Sequence, residues 1–339
     1  MKKVNWGIIG LGNVADVFAK GFQFSSNGKL LGISSKNLDK LNKFKDKFKI
    51  DKKYCFNTYE ELLKCDDIDI VYIALPNSLH YEWILKCINS NKKLLVEKPA
   101  TLNFKEVENI QNNIKDKNFF FAEAFMYRFH PQIIKVIELI NKNEIGKIIT
   151  METYFGNDIL TSLNFFGMKI RKKINKMHRL YNKDLGGGAI LDLGCYTVSF
   201  STLIASLISK FENVEVVNKK KEICVTGVDI NSYAELKFDN GFSSKIGASF
   251  TKNLGRKTKI FGNKGEISIE DTWLAQTPYI ILKNENTKKI EINNNKNIYS
   301  YEIDFVSKCI LENKNELDYP GLKLNDTVCN MKILDNWLM

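Results

Sequence analysis

The sequence predicts an α/β protein: a doubly wound parallel sheet at the N-terminus, then an α+β domain with a large, mostly antiparallel sheet. Three observations carry that prediction. Gly10-Leu11-Gly12-Asn13-Val14-Ala15 joins an apolar run to a helical pattern. Up to about residue 122, short apolar runs alternate with amphipathic stretches. Beyond it, strand-like runs succeed one another through turns such as Asp239-Asn240-Gly241 and Gly262-Asn263-Lys264-Gly265.

Residues 4–9 are continuously apolar and read as a buried strand, and 14–22 as a helix. A second strand is expected at 29–34 and a lysine-rich amphipathic helix at 38–48. Residues 68–74 form a strand buried on both faces, followed by a helix at 79–89, a strand at 93–96, a helix at 104–117 and a strand at 119–122. Such alternation implies parallel order, because parallel neighbours need a crossover between them. The first domain is therefore placed at 1–122 and the second at 123–339. In the second, 130–141 reads as helical, 148–155 alternates as a strand, and 157–183 is irregular and basic. Residues 188–207 form a long apolar helix. Strands follow at 214–217, 223–228, 232–238, 242–250, 257–261, 266–269 and 279–282. Helices at 299–311 and 326–338 close the chain and are able to pack back on the first domain.

With 339 residues, 44% hydrophobic and 26% charged, the chain has the length for two domains and the composition of a soluble globular protein. Its net charge of +11 arises from 50 Lys+Arg against 39 Asp+Glu. The lysines are spread along the chain, with no recognition motif or aromatic-basic platform, which argues against nucleic acid. The excess can still draw anionic ligands. Seven cysteines and three histidines show no metal-ligand spacing, so no metal is expected. Free thiols imply a reducing compartment, hence the cytoplasm. The start, Met1-Lys2-Lys3, leads straight into a strand without the apolar stretch of a signal peptide. Residues 189–209 carry one charge, Asp192, but Gly194 and many Ser/Thr favour a buried helix over a membrane span.

Four segments carry chemistry. Gly10, Gly12 and Ala15 have G-x-G-x-x-A spacing between strand and helix, a Rossmann dinucleotide turn with Asn13 and Val14 opening the helix. The next strand ends Ser34-Ser35-Lys36-Asn37, with no carboxylate before Asp39. Ser35 and Lys36 suit a 2′-phosphate, so NADP(H) is favoured over NAD(H). Leu75-Pro76-Asn77-Ser78-Leu79-His80 follows a buried strand and should lie along the cofactor crevice, with Asn77 and His80 facing the nicotinamide ribose or, in the plainer reading, opening a helix. Glu97-Lys98-Pro99 ends the run Leu94-Leu95-Val96 and brings an ammonium to the carboxyl edge of the sheet. Lys98 is a candidate catalytic group; a salt bridge to Glu97 is the alternative.

These segments, with Glu123-Ala124-Phe125-Met126-Tyr127-Arg128-Phe129-His130-Pro131 and the stretch Gly186-Gly187-Gly188 to Tyr196, occur in an order that resembles the Gfo/Idh/MocA oxidoreductase family along essentially the whole chain. The tyrosine at 196 is similar to a subgroup containing dihydrodiol dehydrogenase, glucose–fructose oxidoreductase and NADP-dependent xylose dehydrogenases. Inositol dehydrogenases of the family carry histidine there. The resemblance implies hydride transfer between the nicotinamide and a hydroxyl- or carbonyl-bearing carbon of a sugar or polyol. It assigns the cofactor to Gly10, Gly12, Asn13, Val14, Ser35, Lys36, Leu75, Pro76, Asn77, His80, Glu97 and Lys98. Tyr196 would be the acid/base, aided by Lys98, since an unperturbed tyrosine titrates near ~10. Asp192, four residues earlier, would orient Lys98 or bind a substrate hydroxyl. Arg128 and His130 would lie near nicotinamide and substrate. A homodimer or higher homo-oligomer is implied, with no membrane partner. Two rivals stand beside this reading: a ketoreductase of a nucleotide-linked sugar, and a non-catalytic NADP-binding regulator. One departure from relatives is an insertion at 160–177 with Phe165-Phe166-Gly167-Met168, then Lys169, Arg171, Lys172, Lys173 and Lys176 and no acid. It suits a basic lid, a dimer arm or a solvated extension.

Overall fold

A computed structural model describes residues 2–163, 167–294 and 296–339. The chain divides into two compact units: Met1–His130 with Asn295–Val328, and Pro131–Asn294 with Cys329–Met339.

The first unit is the parallel sheet. Its elements are β1 (Val4–Ile9), α1 (Asn13–Gly21), β2 (Gly28–Ser34), α2 (Leu38–Phe48), β3 (Cys55–Phe56), α3 (Tyr59–Leu63), β4 (Ile70–Ile73), α4 (His80–Asn89), β5 (Lys93–Glu97), α5 (Phe104–Ile114) and β6 (Phe121–Ala124). The sheet order is β3-β2-β1-β4-β5-β6, every pair parallel. Successive side chains fall on opposite faces: on β1, Trp6 and Ile8 enter one apolar cluster and Ile9 the other. Short polar caps start the helices. Asn37 accepts from the Lys40 amide at 2.9 Å, and Asn103 from the Glu106 amide at 3.0 Å. The short β3 and α3 were not expected from the sequence.

The second unit starts with α6 (Pro131–Asn141) and β7 (Ile148–Gly156). A hairpin of β8 (Thr161–Leu163) and β9 (Lys169–Arg171), the latter exposed, follows. The long apolar stretch opens as a π-helical turn, Ile190–Gly194, and continues as α7 (Cys195–Ile208). Next come β10 (Val214–Ile223), β11 (Asp229–Phe238), β12 (Ser243–Ser249), β13 (Thr258–Gly262), β14 (Gly265–Ile269), β15 (Tyr279–Lys283) and β16 (Thr287–Glu291). They form one eight-stranded sheet in the order β10-β11-β12-β7-β13-β14-β15-β16, antiparallel except where β12 meets β7. Met151, Thr153 and Phe155 of β7 are buried while Glu152 and Tyr154 are half-buried on the opposite face. Lys183–Ile208 is long and apolar enough to cross a membrane by length and composition, but most of it is buried inside the protein.

After β16 the chain returns to the first unit with α8 (Ile298–Leu311), whose Ile303, Val306 and Cys309 join the Trp6 cluster. Trp6 Nε1 donates to Ser307 Oγ at 3.0 Å. The last helix, α9 (Leu324–Leu338), belongs to the first unit through Val328 and to the second from Cys329.

Candidate functional site

In the first unit, the segments singled out in the sequence end neighbouring strands. The chain visits β1, β2 and β3 toward one edge, then β4, β5 and β6 toward the other, so the order reverses between β1 and β4. Open α/β sheets bind ligands outside the carboxyl ends of strands at that reversal. Gly10 (φ +88°) turns the chain there, and a Cβ on it would meet the Ala74 carbonyl oxygen at 2.7 Å, so only glycine fits. Gly12 precedes α1 in the opposite circumstance: among the described residues, apart from its chain neighbours, nothing lies within 4 Å of where its Cβ would stand. Gly12 and Asn13 are exposed and Val14 is half-buried at the helix start, leaving backbone N–H groups and the positive helix end open to an anion. These residues fit a dinucleotide pyrophosphate.

At the end of β2, Ser34 and Ser35 are buried and Lys36 is exposed. Ser35 Oγ accepts from the Asn37 amide at 3.1 Å. The Lys36 ammonium lies 5.5 Å from the Tyr59 ring centroid. Asp39 falls inside α2, one residue past its start, as the sequence implied.

Pro76 is exposed and Asn77 half-buried after β4, while Leu75 is buried. His80 is fully buried. Its Nδ1 is 2.8 Å from the Pro99 carbonyl oxygen and its Nε2 2.9 Å from that of Leu75. The ring thus ties the loop after β4 to the loop after β5. Burial, reinforced by the Lys98 charge, lowers His80 from the ordinary imidazole range against the pull of the two carbonyls. A neutral ring donates to only one of them.

Lys98 is half-buried past the end of β5. Glu97 points into the protein: it accepts from the Tyr72 hydroxyl and, through Oε2, from the Lys98 amide at 3.3 Å. Arg128 is also buried, and its Nη1 donates to the Pro320 carbonyl at 3.0 Å. His130 is 1% exposed, with its ring 5.4 Å from that of Tyr301, and precedes Pro131 at the start of α6. Glu97, His80, Arg128 and His130 therefore make interior contacts in this structure, whereas Gly12, Asn13, Lys36, Pro76, Asn77 and Lys98 reach the surface in whole or part.

The second unit holds Arg179, Asp192 and Tyr196. Gly187 has no room for a side chain: a Cβ would meet the carbonyl oxygens of Arg179, Leu180 and Asn182 at 2.7–2.8 Å. Gly188 (φ +116°) brings the backbone against Asp229, whose Oδ2 accepts from the Ile190 amide at 2.8 Å. Asp229 thereby caps the π turn, a role read nowhere in the sequence because 39 residues separate the partners. Asp192 is buried and pairs with Arg179, Nη1 to Oδ1 at 3.1 Å. Tyr196, 7% exposed, packs among Phe155 and Trp273, with ring centroids 5.4 and 5.7 Å away. A π turn widens the backbone locally and recurs at functional sites. Here it contains Asp192 and ends two residues before Tyr196, where the sequence implies a regular helix.

The hairpin after β7 carries the basic insertion. Lys169, Arg171, Lys172 and Lys173 are exposed, and Arg171 lies 3.8 Å from Glu222. A groove of about 500 Å³ is lined by Arg171, Lys172, Lys173 and the Glu222–Val225 stretch. Phe165 and Phe166 lie outside the described residues. Among the described residues, no group of three His, Cys, Asp or Glu is placed to hold a metal ion.

The family model described as the oxidoreductase family with NAD-binding Rossmann fold (GFO_IDH_MocA) matches residues 4–125. The GFO/IDH/MocA C-terminal domain matches residues 133–268. A trans-1,2-dihydrobenzene-1,2-diol dehydrogenase of Xenopus tropicalis is 28% identical over 342 residues, covering 98% of this chain and 96% of that protein. Among solved structures, an aldose-aldose oxidoreductase from Caulobacter crescentus complexed with glycerol superposes with a TM-score of 0.84 at 21% identity. It covers 99% of this chain and 96% of its own. A 3-ketoreductase from Actinomadura kijaniata with NADP and TDP-benzene gives a TM-score of 0.80 at 20% identity, covering 98% and 96%.

Proposed function

The chain belongs to the Gfo/Idh/MocA oxidoreductase family, and from that premise we propose that it is an NADP(H)-dependent enzyme acting on a hydroxyl- or carbonyl-bearing carbon of a sugar or related polyol. The observation that carries the proposal is Lys98, half-buried just past β5 on the carboxyl edge of a sheet whose order reverses next door. The relative is named for a dihydrodiol and the neighbour for aldoses, which supports a hydroxyl- or carbonyl-bearing substrate for this chain.

When bound, the nicotinamide supplies or takes up the hydride. The chain's own residues do the rest. Gly10 and Gly12 let the backbone approach the pyrophosphate. Ser35 and Lys36, with no acid at the end of β2, receive the 2′-phosphate. Lys98 offers its ammonium to the substrate oxygen and stabilises charge that develops there. Tyr196 gives or takes the proton at its hydroxyl. Asp192, held by Arg179, binds a substrate hydroxyl. Retention of both Lys98 and Tyr196 speaks against a purely regulatory protein.

The exposed basic stretch Lys169–Arg171 with Lys172 and Lys173 favours one narrower reading, a ketoreductase of a nucleotide-linked or phosphorylated sugar. The seven free thiols suit the cytoplasm. The outer face of the second unit's sheet suits a homodimer. The deciding experiment is a turnover screen of free sugars, keto-sugars, nucleotide-linked sugars and dihydrodiols with NADPH and NADP⁺. Turnover of at least one class is expected; cofactor binding with turnover of none would leave the regulatory reading.

A further inference from the structure

Glu123 is the last residue but one of β6, just before the basic and aromatic segment 125–130, and has no part in the chemistry above. It lies on β6 opposite Val96 of β5 and is 4% exposed. One carboxylate oxygen, Oε1, accepts from the Ala100 amide at 2.9 Å. The other, Oε2, accepts from the Thr327 hydroxyl, also at 2.9 Å. Ala100 is the second residue after Lys98. The carboxylate therefore holds the peptide that leaves the Lys98–Pro99 turn, and the start of α9 holds the carboxylate.

Burial pushes Glu123 up to about 7, against the lowering effect of the Ala100 and Thr327 bonds and of the Arg128 guanidinium; the Glu97 charge adds to the rise. The groups that face it thus come from four directions. These are the Ala100 amide after β5, Glu97 on β5, Arg128 in the turn after β6, and Thr327 on α9. Behind Glu97 stand Tyr72 on β4 and Glu302 on α8.

We propose that Glu123 is a positioning residue for Lys98: its carboxylate grips the turn that presents the lysine, and protonation loosens the grip. A carboxylate accepts both bonds with charge assistance, whereas the acid carries a hydrogen on one oxygen and accepts only as a neutral group. The Thr327 hydroxyl can rotate to accept from that hydrogen. The Ala100 N–H cannot, so its bond weakens when Glu123 is protonated. The inference rests on the reading of Lys98 given above.

The test measures single-turnover hydride transfer from pH 5.5 to 8.5, together with the carboxyl stretch in the infrared of the cofactor-free protein. In the wild type the rate is expected to fall about three- to tenfold as pH drops through about 7, the worth of one hydrogen bond. A carboxyl band should appear over the same range. Glu123→Gln should abolish both the band and the acid limb, leaving a pH-independent rate several-fold below the wild-type plateau with the Michaelis constant for cofactor unchanged. Thr327→Val removes one stabilising bond and should move band and limb upward by about half a unit to one unit. A wild-type limb retained in Glu123→Gln, or no displacement in Thr327→Val, overturns the inference; if Glu123→Gln does not fold, Thr327→Val decides alone. Lys98→Met separates the two claims. Full turnover in that variant sinks the reading of Lys98. Loss of turnover there, with an unaltered profile in the Glu123 and Thr327 variants, sinks only the role of Glu123.

Discussion

Lys36 is the residue to which the proposed preference for NADP(H) is assigned. It is exposed beside the Tyr59 ring at the end of β2, and no carboxylate precedes Asp39 in α2. Calorimetric titration should show NADPH binding more tightly than NADH, and Lys36→Asp should reverse or abolish the difference by placing a negative charge where the 2′-phosphate would lie; tighter NADH binding by the wild type would refute the assignment. Lys98→Met and Tyr196→Phe should each lower turnover by roughly 10²–10⁴-fold while cofactor still binds, the usual contribution of a general acid–base group. Near-normal turnover in Tyr196→Phe would move the proton elsewhere. Glu302 offers a prediction about stability. Both its carboxylate oxygens are buried with no hydrogen-bond partner among the described residues, and burial, then the Glu97 charge, push it well above the usual carboxylate range. A raised acid binds its proton more tightly folded than unfolded. Its contribution to stability is therefore present below the ordinary carboxylate pKa and is lost as pH rises toward the folded value. Glu302→Gln should accordingly raise the melting temperature more at pH 8 than at pH 5. An equal change at both pH values would mean that the carboxyl is not the titrating group.

Elements whose signal lies in their own residues were legible in the sequence. The buried strands β1 and β4 read as apolar runs, and α2 was placed at its observed bounds, Leu38–Phe48. Elements set by their neighbours were not. Lys219, Lys220 and Lys221 concealed the second half of β10, which pairs as an exposed edge strand where lysine guards against stray pairing. The polar β16 at the opposite edge carries no apolar signal for the same reason, and residues 224–228, strand-like in sequence, form a turn between β10 and β11. The same division runs through the candidate site. Gly10, Gly12 and Lys98 announce themselves through spacing, whereas the bonds of His80 to Pro99 and of Asp229 to Ile190 join segments 19 and 39 residues apart. The β8–β9 hairpin gives a prediction at this scale. Replacing Lys169, Arg171, Lys172 and Lys173 with serine should raise the Michaelis constant for a phosphorylated or nucleotide-linked sugar and leave a neutral sugar little changed. The advantage of the anionic substrate should shrink with salt, because exposed charges are screened over ~8–10 Å at physiological ionic strength. Equal effects on both substrates would exclude an anion-binding role.

For the whole molecule, assembly is the first question. Tyr154 and Tyr233 stand over Gly247 on one face of the second unit's sheet, where a Cβ would meet their rings at 2.9 and 2.8 Å. With Lys245, Ile246 and Lys252 they line a groove of about 640 Å³. Sedimentation should report a dimer that Tyr233→Glu weakens; a wild-type monomer at micromolar concentration would refute a homodimer. The return of α8 to the first unit bears on how the chain is made. Trp6 enters its cluster early in the sequence, yet Ser307, Ile303 and Val306, which bond to it or pack in that cluster, come some three hundred residues later. Domains generally fold as units during synthesis. This nucleotide-binding unit lacks part of its apolar cover until α8, Ile298–Leu311, has left the ribosome. A nascent chain stalled at residue 294 should therefore be digested by protease in residues 1–130, and release of the full length should confer resistance there.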